Sequence, residues 1–177
     1  MIIRREQPAD HDAVRELHRA AFARDPATGA LRPAEAVPEA RLVDLLREDA
    51  GFLPHLSLVA EDDGRLAGHV IATRGWVEPG AVPVLGLGPL GVVPELQGRG
   101  IGTVLVHALL AVAEACEERL VALLGSPAYY RGFGFVPSTE LSIDAPDPTW
   151  GSYFQVRQLS GAPAWGTFRY ADPFARL

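Results

Sequence analysis

The segment Gln97-Gly98-Arg99-Gly100-Ile101-Gly102 has the composition of an anion-binding turn: three glycines spaced two apart, preceded by the apolar Val92-Val93 and followed by a helical repeat. The first amides of a helix have no intrahelical acceptor, and the helix dipole adds positive potential. Backbone N–H groups of Gln97, Gly98, Arg99, Gly100, Ile101, Gly102 and Thr103 could therefore hold a phosphate or pyrophosphate. Glycine lets such an anion approach the main chain. The glycines alone fit a plain strand-to-helix turn equally well.

Other phosphate motifs fail in detail. Gly86-x-Gly88-x-x-Gly91 matches the dinucleotide fingerprint as a string, but Pro89 interrupts it and Val92-Val93-Pro94 does not open a helix. A P-loop needs Gly-Lys-Ser/Thr, and all 16 basic residues here are arginine. The missing lysine also removes Schiff-base chemistry. His11, His18, His55, His107 and Cys116 lack metal-ligand spacing, so no metal is expected. Gly125-Ser126-Pro127-Ala128-Tyr129 lacks the second glycine of a nucleophile elbow.

The elements that must position the turn follow from periodicity. Ile2–Arg5 reads as a strand, and Asp10 as the N-cap of a helix carrying Val14, Leu17, His18, Ala21 and Phe22 on one face and ending before Pro26. A loop over 27–33 leads to a second helix near Pro38–Glu48, with Leu42, Leu45 and Leu46 together. Leu56–Ala60 and Leu66–Thr73 form a hairpin about Asp62-Asp63-Gly64. Trp76–Pro83 reads as a loop and Val84–Val93 as a central strand with a bulge, because glycine and proline interrupt it. A long helix carrying Ile101, Val104, Leu105, Ala108, Leu109, Val112 and Cys116 follows the glycine turn, then a buried strand, Leu120–Leu124. Strand, turn, helix and strand make a crossover with parallel strands. Ser126–Arg131 is a short helical turn, and Leu141–Ile143, Tyr153–Leu159 and Thr167–Tyr170 are short strands.

At 177 residues and 48% apolar, the chain fits a single α/β domain over 1–177, with a core over 1–137 and a tail over 138–177. The net charge of -6 argues against nucleic acid. One cysteine excludes an internal disulfide, and no signal peptide or membrane-length apolar run is seen, so a soluble cytoplasmic protein is expected.

Gln97-x-x-Gly100-x-Gly102 after Val-Val-Pro-Glu closely resembles the Gln/Arg-x-x-Gly-x-Gly/Ala signature of the Gcn5-related N-acetyltransferases. Ala128-Tyr129-Tyr130-Arg131-Gly132-Phe133-Gly134-Phe135 resembles that family's Tyr-x-x-x-Gly-Phe element. Leu87-Gly88-Pro89-Leu90-Gly91-Val92 and Gly125-Ser126-Pro127 resemble its bacterial YhbS-type branch. The likeness runs from Met1 to Val136 in element order and is loose beyond Ser138.

The resemblance implies a mixed sheet flanked by helices, with splayed central strands forming an acyl-CoA cleft. It implies acetyl-CoA as co-substrate and direct attack by an amine of a small molecule, peptide or protein. Residues 97–103 would grip the pyrophosphate, with main-chain groups of Val92 and Val93 on the pantetheine and thioester. Tyr130 would be the general acid for the departing thiolate, preferred over Tyr129 because only it has the family's spacing to Gly134. Ser126 could touch the pantetheine, but it also suits a cap. Many relatives carry a basic Glu on the central strand, and Val84–Val93 has none. Glu61, Asp62, His69 and Glu78 are candidates by proximity, and a water chain stays open. Besides the enzyme, two readings stand: a non-catalytic acyl-CoA sensor or assembly module, and a thioester hydrolase. The acceptor is expected between the two N-terminal helices, the Trp76–Pro83 loop and the tail near Trp150, Tyr153 and Trp165. Exposed tail strands could pair with a second copy.

Overall fold

The computed structural model describes residues 1–25, 28–33 and 36–176. Nine strands form one sheet: β1 (Ile2–Arg5), β2 (Phe52–Asp62), β3 (Arg65–Glu78), β4 (Val82–Val92), β5 (Leu120–Leu124), β6 (Val136–Pro137), β7 (Ile143–Asp144), β8 (Phe154–Gln158) and β9 (Gly166–Arg169). The helices are α1 (His11–Ala21), α2 (Pro38–Glu48), α3 (Ile101–Ala115) and the single turn α4 (Pro127–Tyr130). The sheet order is β1-β2-β3-β4-β5-β8-β6, with β9 joining β3 to β7. The expected 27–33 loop falls partly outside the described residues.

β1 to β4 form an antiparallel meander, whereas β4 and β5 are parallel and pair only at Leu85–Val121 and Gly86–Ala122. The expected bulge lies just beyond. Ala72 faces Leu87 and Val70 faces Leu90, so Gly88 and Pro89 together oppose Ile71. An extra residue bends the strand that carries it. β4 thus stays on β3 while β5 leaves it.

Helix α3 buries Ile101, Leu105, Leu109 and Ala113 on one face of the sheet, against Ala60, Ala67, Val70 and Leu85. A Cβ on Gly68 would stand 2.8 Å from Leu105 Cδ1, so this glycine lets the helix start lie close to β3. Val104 is half-exposed, the buried face being widened on its other side by Val106, Leu110 and Ala113, and Cys116 is exposed because the helix ends at Ala115 and it forms the C-cap. On the opposite face α2 buries Leu42, Val43 and Leu46, with Val43 taking the inner place expected of Leu45.

Of the expected loop Trp76–Pro83 only 79–81 is a turn; Trp76–Glu78 and Val82–Pro83 are strand and pair with each other. β3 continues to Glu78 because β9 pairs with its end, Trp76 opposite Arg169 and Val77 opposite Phe168. The tail strands are likewise taken up within the chain: β8 lies between β5 and β6, and β9 between β3 and β7. β6 and β7 each pair on one side only.

A buried polar chain fastens α1 and α2 beneath the sheet. Ser57 Oγ donates to Glu6 Oε2 at 2.6 Å, His69 Nε2 lies 3.0 Å from Ser57 Oγ, and His18 Nε2 lies 2.8 Å from His69 Nδ1. Arg47 pairs with Glu6 and donates to Asp44 at 2.7 Å. Burial pushes the Glu6 carboxyl up, but the nearby His69 ring and hydrogen bonds from Arg47 and Ser57 outweigh it and hold the group ionised well below the usual carboxylate range. Burial lowers both histidines, which are therefore neutral. Ionised Glu6 then fixes every donor: Ser57 gives its proton to Glu6, His69 donates from Nε2 to Ser57, and His18 donates from Nε2 to His69. His18 Nδ1 remains a buried acceptor without a partner, on Gly91 of β4, where a Cβ would come within 2.8 Å of it. Asp10, expected as the α1 cap, makes no such bond; its carboxylate takes the Arg4 guanidinium at 2.7 Å and the Gln7 amide at 2.8 Å.

Both histidines titrate lower in the fold than their unfolded value of 6.5, so the unfolded chain binds protons first as pH falls. Stability is full above that value and declines below it by about 1.4 kcal/mol per pH unit for each histidine. Glu6 adds a second decline as pH falls through its unfolded value of 4.5. Chemical denaturation across this range should show both stages, and His18→Asn should weaken the first while leaving the second.

Candidate active site

β4 ends at the site, and its ladder decides which main-chain groups face the gap left by β5. The Val93 N–H donates to the Ala67 carbonyl at 3.0 Å, and the Val93 carbonyl accepts from Leu96 at 3.0 Å. Bonded pairs alternate along an antiparallel ladder. Gly91, opposite His69, is therefore the next bonded position, while Leu90 and Val92 turn their main-chain groups toward the β5 side. Val93, expected to contribute beside Val92, has both main-chain groups engaged within the chain. Leu90 instead turns its main-chain groups toward that gap, a placement that only the register reveals.

After a turn at Pro94–Leu96, the chain passes through Gly98 (φ +75°) and Gly100 (φ +85°) into α3. Only glycine adopts this left-handed backbone freely. Gly100 is the helix N-cap and has no capping side chain; its carbonyl accepts the Val104 amide at 3.0 Å. Among the described residues, no amide from Gly98 to Thr103 donates to a carbonyl or side chain. Helix starts normally find such partners. The Gln97 side chain donates to the Val92 carbonyl at 3.1 Å, holding the loop against the strand end. These residues and Tyr129 line a cleft of about 400 Å³ with Leu90, Val92 and Leu96. The exposed Arg99 side chain is not among the lining residues.

A second cleft, about 480 Å³, lies beyond Leu90, which lines both. Its walls include Leu87 to Pro89 of the bulge, Phe22 after α1, Glu39 and Leu42 of α2, Tyr130, and Trp150, Tyr170 and Phe174 from the tail. The two tyrosines divide between the clefts. Tyr129 stands by Gly102 and Thr103, and its hydroxyl would lie 2.8 Å from a Cβ on Gly102. Tyr130 is turned the other way, its ring packed over Gly125, where a Cβ would overlap it. Burial, with the nearby Tyr129 phenol, raises the Tyr130 phenol, so it keeps its proton across the neutral range.

Ser126 is exposed and lines neither cleft; its carbonyl accepts the Tyr129 and Tyr130 amides at 3.0 Å, but its side chain makes no cap. The four proximity candidates for a base are held elsewhere. Glu61 pairs with Arg4 at 2.9 Å, Asp62 with the N-terminal ammonium at 3.1 Å and Glu78 with Arg169 at 3.4 Å, and His69 is buried in the polar chain. Tyr153 and Trp165 are 58% and 70% exposed and lie outside the second cleft, as does Trp76–Pro83. Glu39, Tyr170 and Phe174 were not foreseen. Their only sequence signal was an acidic residue beside Pro38 and an aromatic-rich tail, neither of which locates a cavity.

Among the described residues no three His, Cys, Asp or Glu side chains gather as a metal site, and no helix is long and apolar enough to cross a membrane. The family profile described as "Acetyltransferase (GNAT) family" matches residues 12–135. The uncharacterized N-acetyltransferase YhbS of Escherichia coli (strain K12) is 34% identical over 161 residues, which is 90% of this chain and 88% of that protein. A crystal structure of E. coli YhbS in complex with CoA superposes with a TM-score of 0.85 at 30% identity, covering 99% of this chain and 92% of that one. A GNAT family acetyltransferase from Brucella melitensis, solved in complex with acetyl-CoA, gives a TM-score of 0.77 at 32% identity, covering 98% and 97%. With the family profile matching residues 12–135, and the fold and about a third of its residues in common with these proteins, the chain belongs to the acetyltransferase (GNAT) family.

Proposed function

We propose that this protein transfers the acetyl group of acetyl-CoA to an amine by direct attack, without a covalent enzyme intermediate. The observation that carries the reading is the run of free amides from Gly98 to Thr103 in the wall of a cleft that meets an aromatic cavity at Leu90. A pyrophosphate fits this run. The amides are convergent and unpartnered, the dipole of α3 favours an anion, and a Cβ at Gly98 or Gly100 would meet nothing within 4 Å, so the approach is open. Two relatives bind CoA or acetyl-CoA on the same fold, which supports the same donor here.

Bound there, acetyl-CoA would supply a thioester carbonyl for attack. The chain's part is placement and hydrogen bonding. Leu90 and Val92 offer main-chain N–H groups in the gap beside β5, suited to a pantetheine amide and to the charge that develops on the thioester oxygen. Tyr130, protonated and next to the junction of the clefts, donates to the sulfur as it leaves. The second cleft receives the amine, which attacks as the neutral base and gives up its N–H proton to solvent as the amide forms, with the Tyr130 phenol reprotonated in turn. Holding both partners makes the step effectively unimolecular. A single cysteine accords with a cytoplasmic setting, which we include in the proposal.

Thiol release from acetyl-CoA should require an amine, and Tyr130→Phe should lower kcat by about 100-fold or more with the calorimetric Kd for acetyl-CoA unchanged. Release indifferent to amine would indicate a hydrolase, and binding without release a sensor. Separately, Gly100→Val and Gly102→Val should each weaken acetyl-CoA binding at least about tenfold, because one strains a left-handed residue and the other meets the Tyr129 hydroxyl. Unchanged affinity in folded variants would contradict the amide cradle.

A further inference from the structure

The second cleft holds two buried polar atoms without hydrogen-bond partners in walls that are otherwise apolar: Glu39 Oε2 and the Tyr170 hydroxyl. Leaving such groups unpaired costs about 1–3 kcal/mol each, so their presence together asks for a ligand that pairs them. Glu39 is the only charged residue among the described residues lining the cleft. Its nearest cation is Arg32, 4.0 Å from the other carboxylate oxygen, and Arg32 is itself held by Asp25 at 2.8 Å. The Glu39 charge is thus weakly countered. Trp150, Tyr170 and Phe174 form a continuous aromatic wall, with ring centroids 6.4 and 4.5 Å apart. Burial keeps the Tyr170 phenol protonated and able to donate or accept.

We propose that the cavity selects a primary amine on an apolar or aromatic body and without a carboxylate, and that Glu39 is the residue that accepts hydrogen bonds from its nitrogen. An ammonium group here meets one carboxylate oxygen and the faces of aromatic rings, both of which attract it. The body of the molecule meets Leu42, Leu87 and Phe22. A carboxylate on the same molecule would meet no cation and would lie near Glu39, so an amino acid of the same skeleton is excluded by charge. The inference deepens the acetyltransferase reading and rests on it for turnover, but the selection is a property of the cavity and shows in binding alone.

The experiment compares phenethylamine with phenylalanine, and tryptamine with tryptophan. Binding to the CoA-bound protein is followed by calorimetry, and acetylation by thiol release. Each amine should bind and react at least about 100-fold better than its amino acid. Glu39→Gln should reduce amine affinity and kcat/KM by about tenfold or more, with acetyl-CoA affinity unchanged. Tyr170→Phe should give a smaller loss, and melting temperatures would check that both variants fold. Equal binding of amines and amino acids, or wild-type amine affinity in Glu39→Gln, would overturn the inference while leaving acetyl transfer intact. Glu39-dependent binding of amines without thiol release would uphold the cavity's selectivity and count against acetyl transfer.

Discussion

Between Gly86 and Val92, β4 keeps its pairing with β3 while β5 turns away, and the main-chain groups left facing that gap are the material of the site. A backbone group without a partner is costly in a protein interior. Here the cost is tolerable because the gap opens on a cleft. The bulge at Gly88 and Pro89 sustains the separation by placing one more residue on β4 than on β3. The free amides at the start of α3 repeat the same device a few residues later.

An open gap needs a rigid frame, and the buried polar chain beneath α1 helps to provide one. Ionised Glu6 orients Ser57, His69 and His18 in turn, and His18 rests on Gly91 of the strand that borders the gap. Arg47 ties the same carboxylate to α2, the helix that carries Glu39. One buried charge therefore connects both N-terminal helices to β4. Removing either member of a buried ion pair leaves the other uncompensated, which makes such a frame demanding of its residues.

The glycine turn and helix start proposed to hold the donor were legible in the sequence because their signals are local. Gly98, Gly100 and the helical repeat from Ile101 lie within a few turns of one another, and the Tyr130 to Gly134 spacing is equally short. The acceptor side was hidden because it is assembled from distant segments. Phe22, Glu39, Trp150 and Phe174 meet only after β8 has docked on β5 and β9 on β3. The extent of the Trp76–Pro83 loop was overestimated for a similar reason: its prolines and glycine mark the turn at 79–81, but the β9 pairing that extends β3 to Glu78 comes from near residue 168. That Leu90 faces the gap while Val93 is bonded within the chain needed the ladder register, which no pattern of side chains encodes. Cys116 fell outside the core because α3 ends at Ala115 and Cys116 is its C-cap, a boundary that the apolar repeat does not mark.

The insertion of β8 beside β5 divides the molecule's two tasks between separable stretches of chain. What the proposed donor cleft offers is largely main chain, encoded between Leu90 and Thr103 and indifferent to most side chains. Much of the wall that faces the acceptor is side chain, supplied by Trp150, Tyr170 and Phe174 after the donor half is complete. Drift in the last part of the gene can thus revise which molecules are modified without disturbing the source of the group they receive.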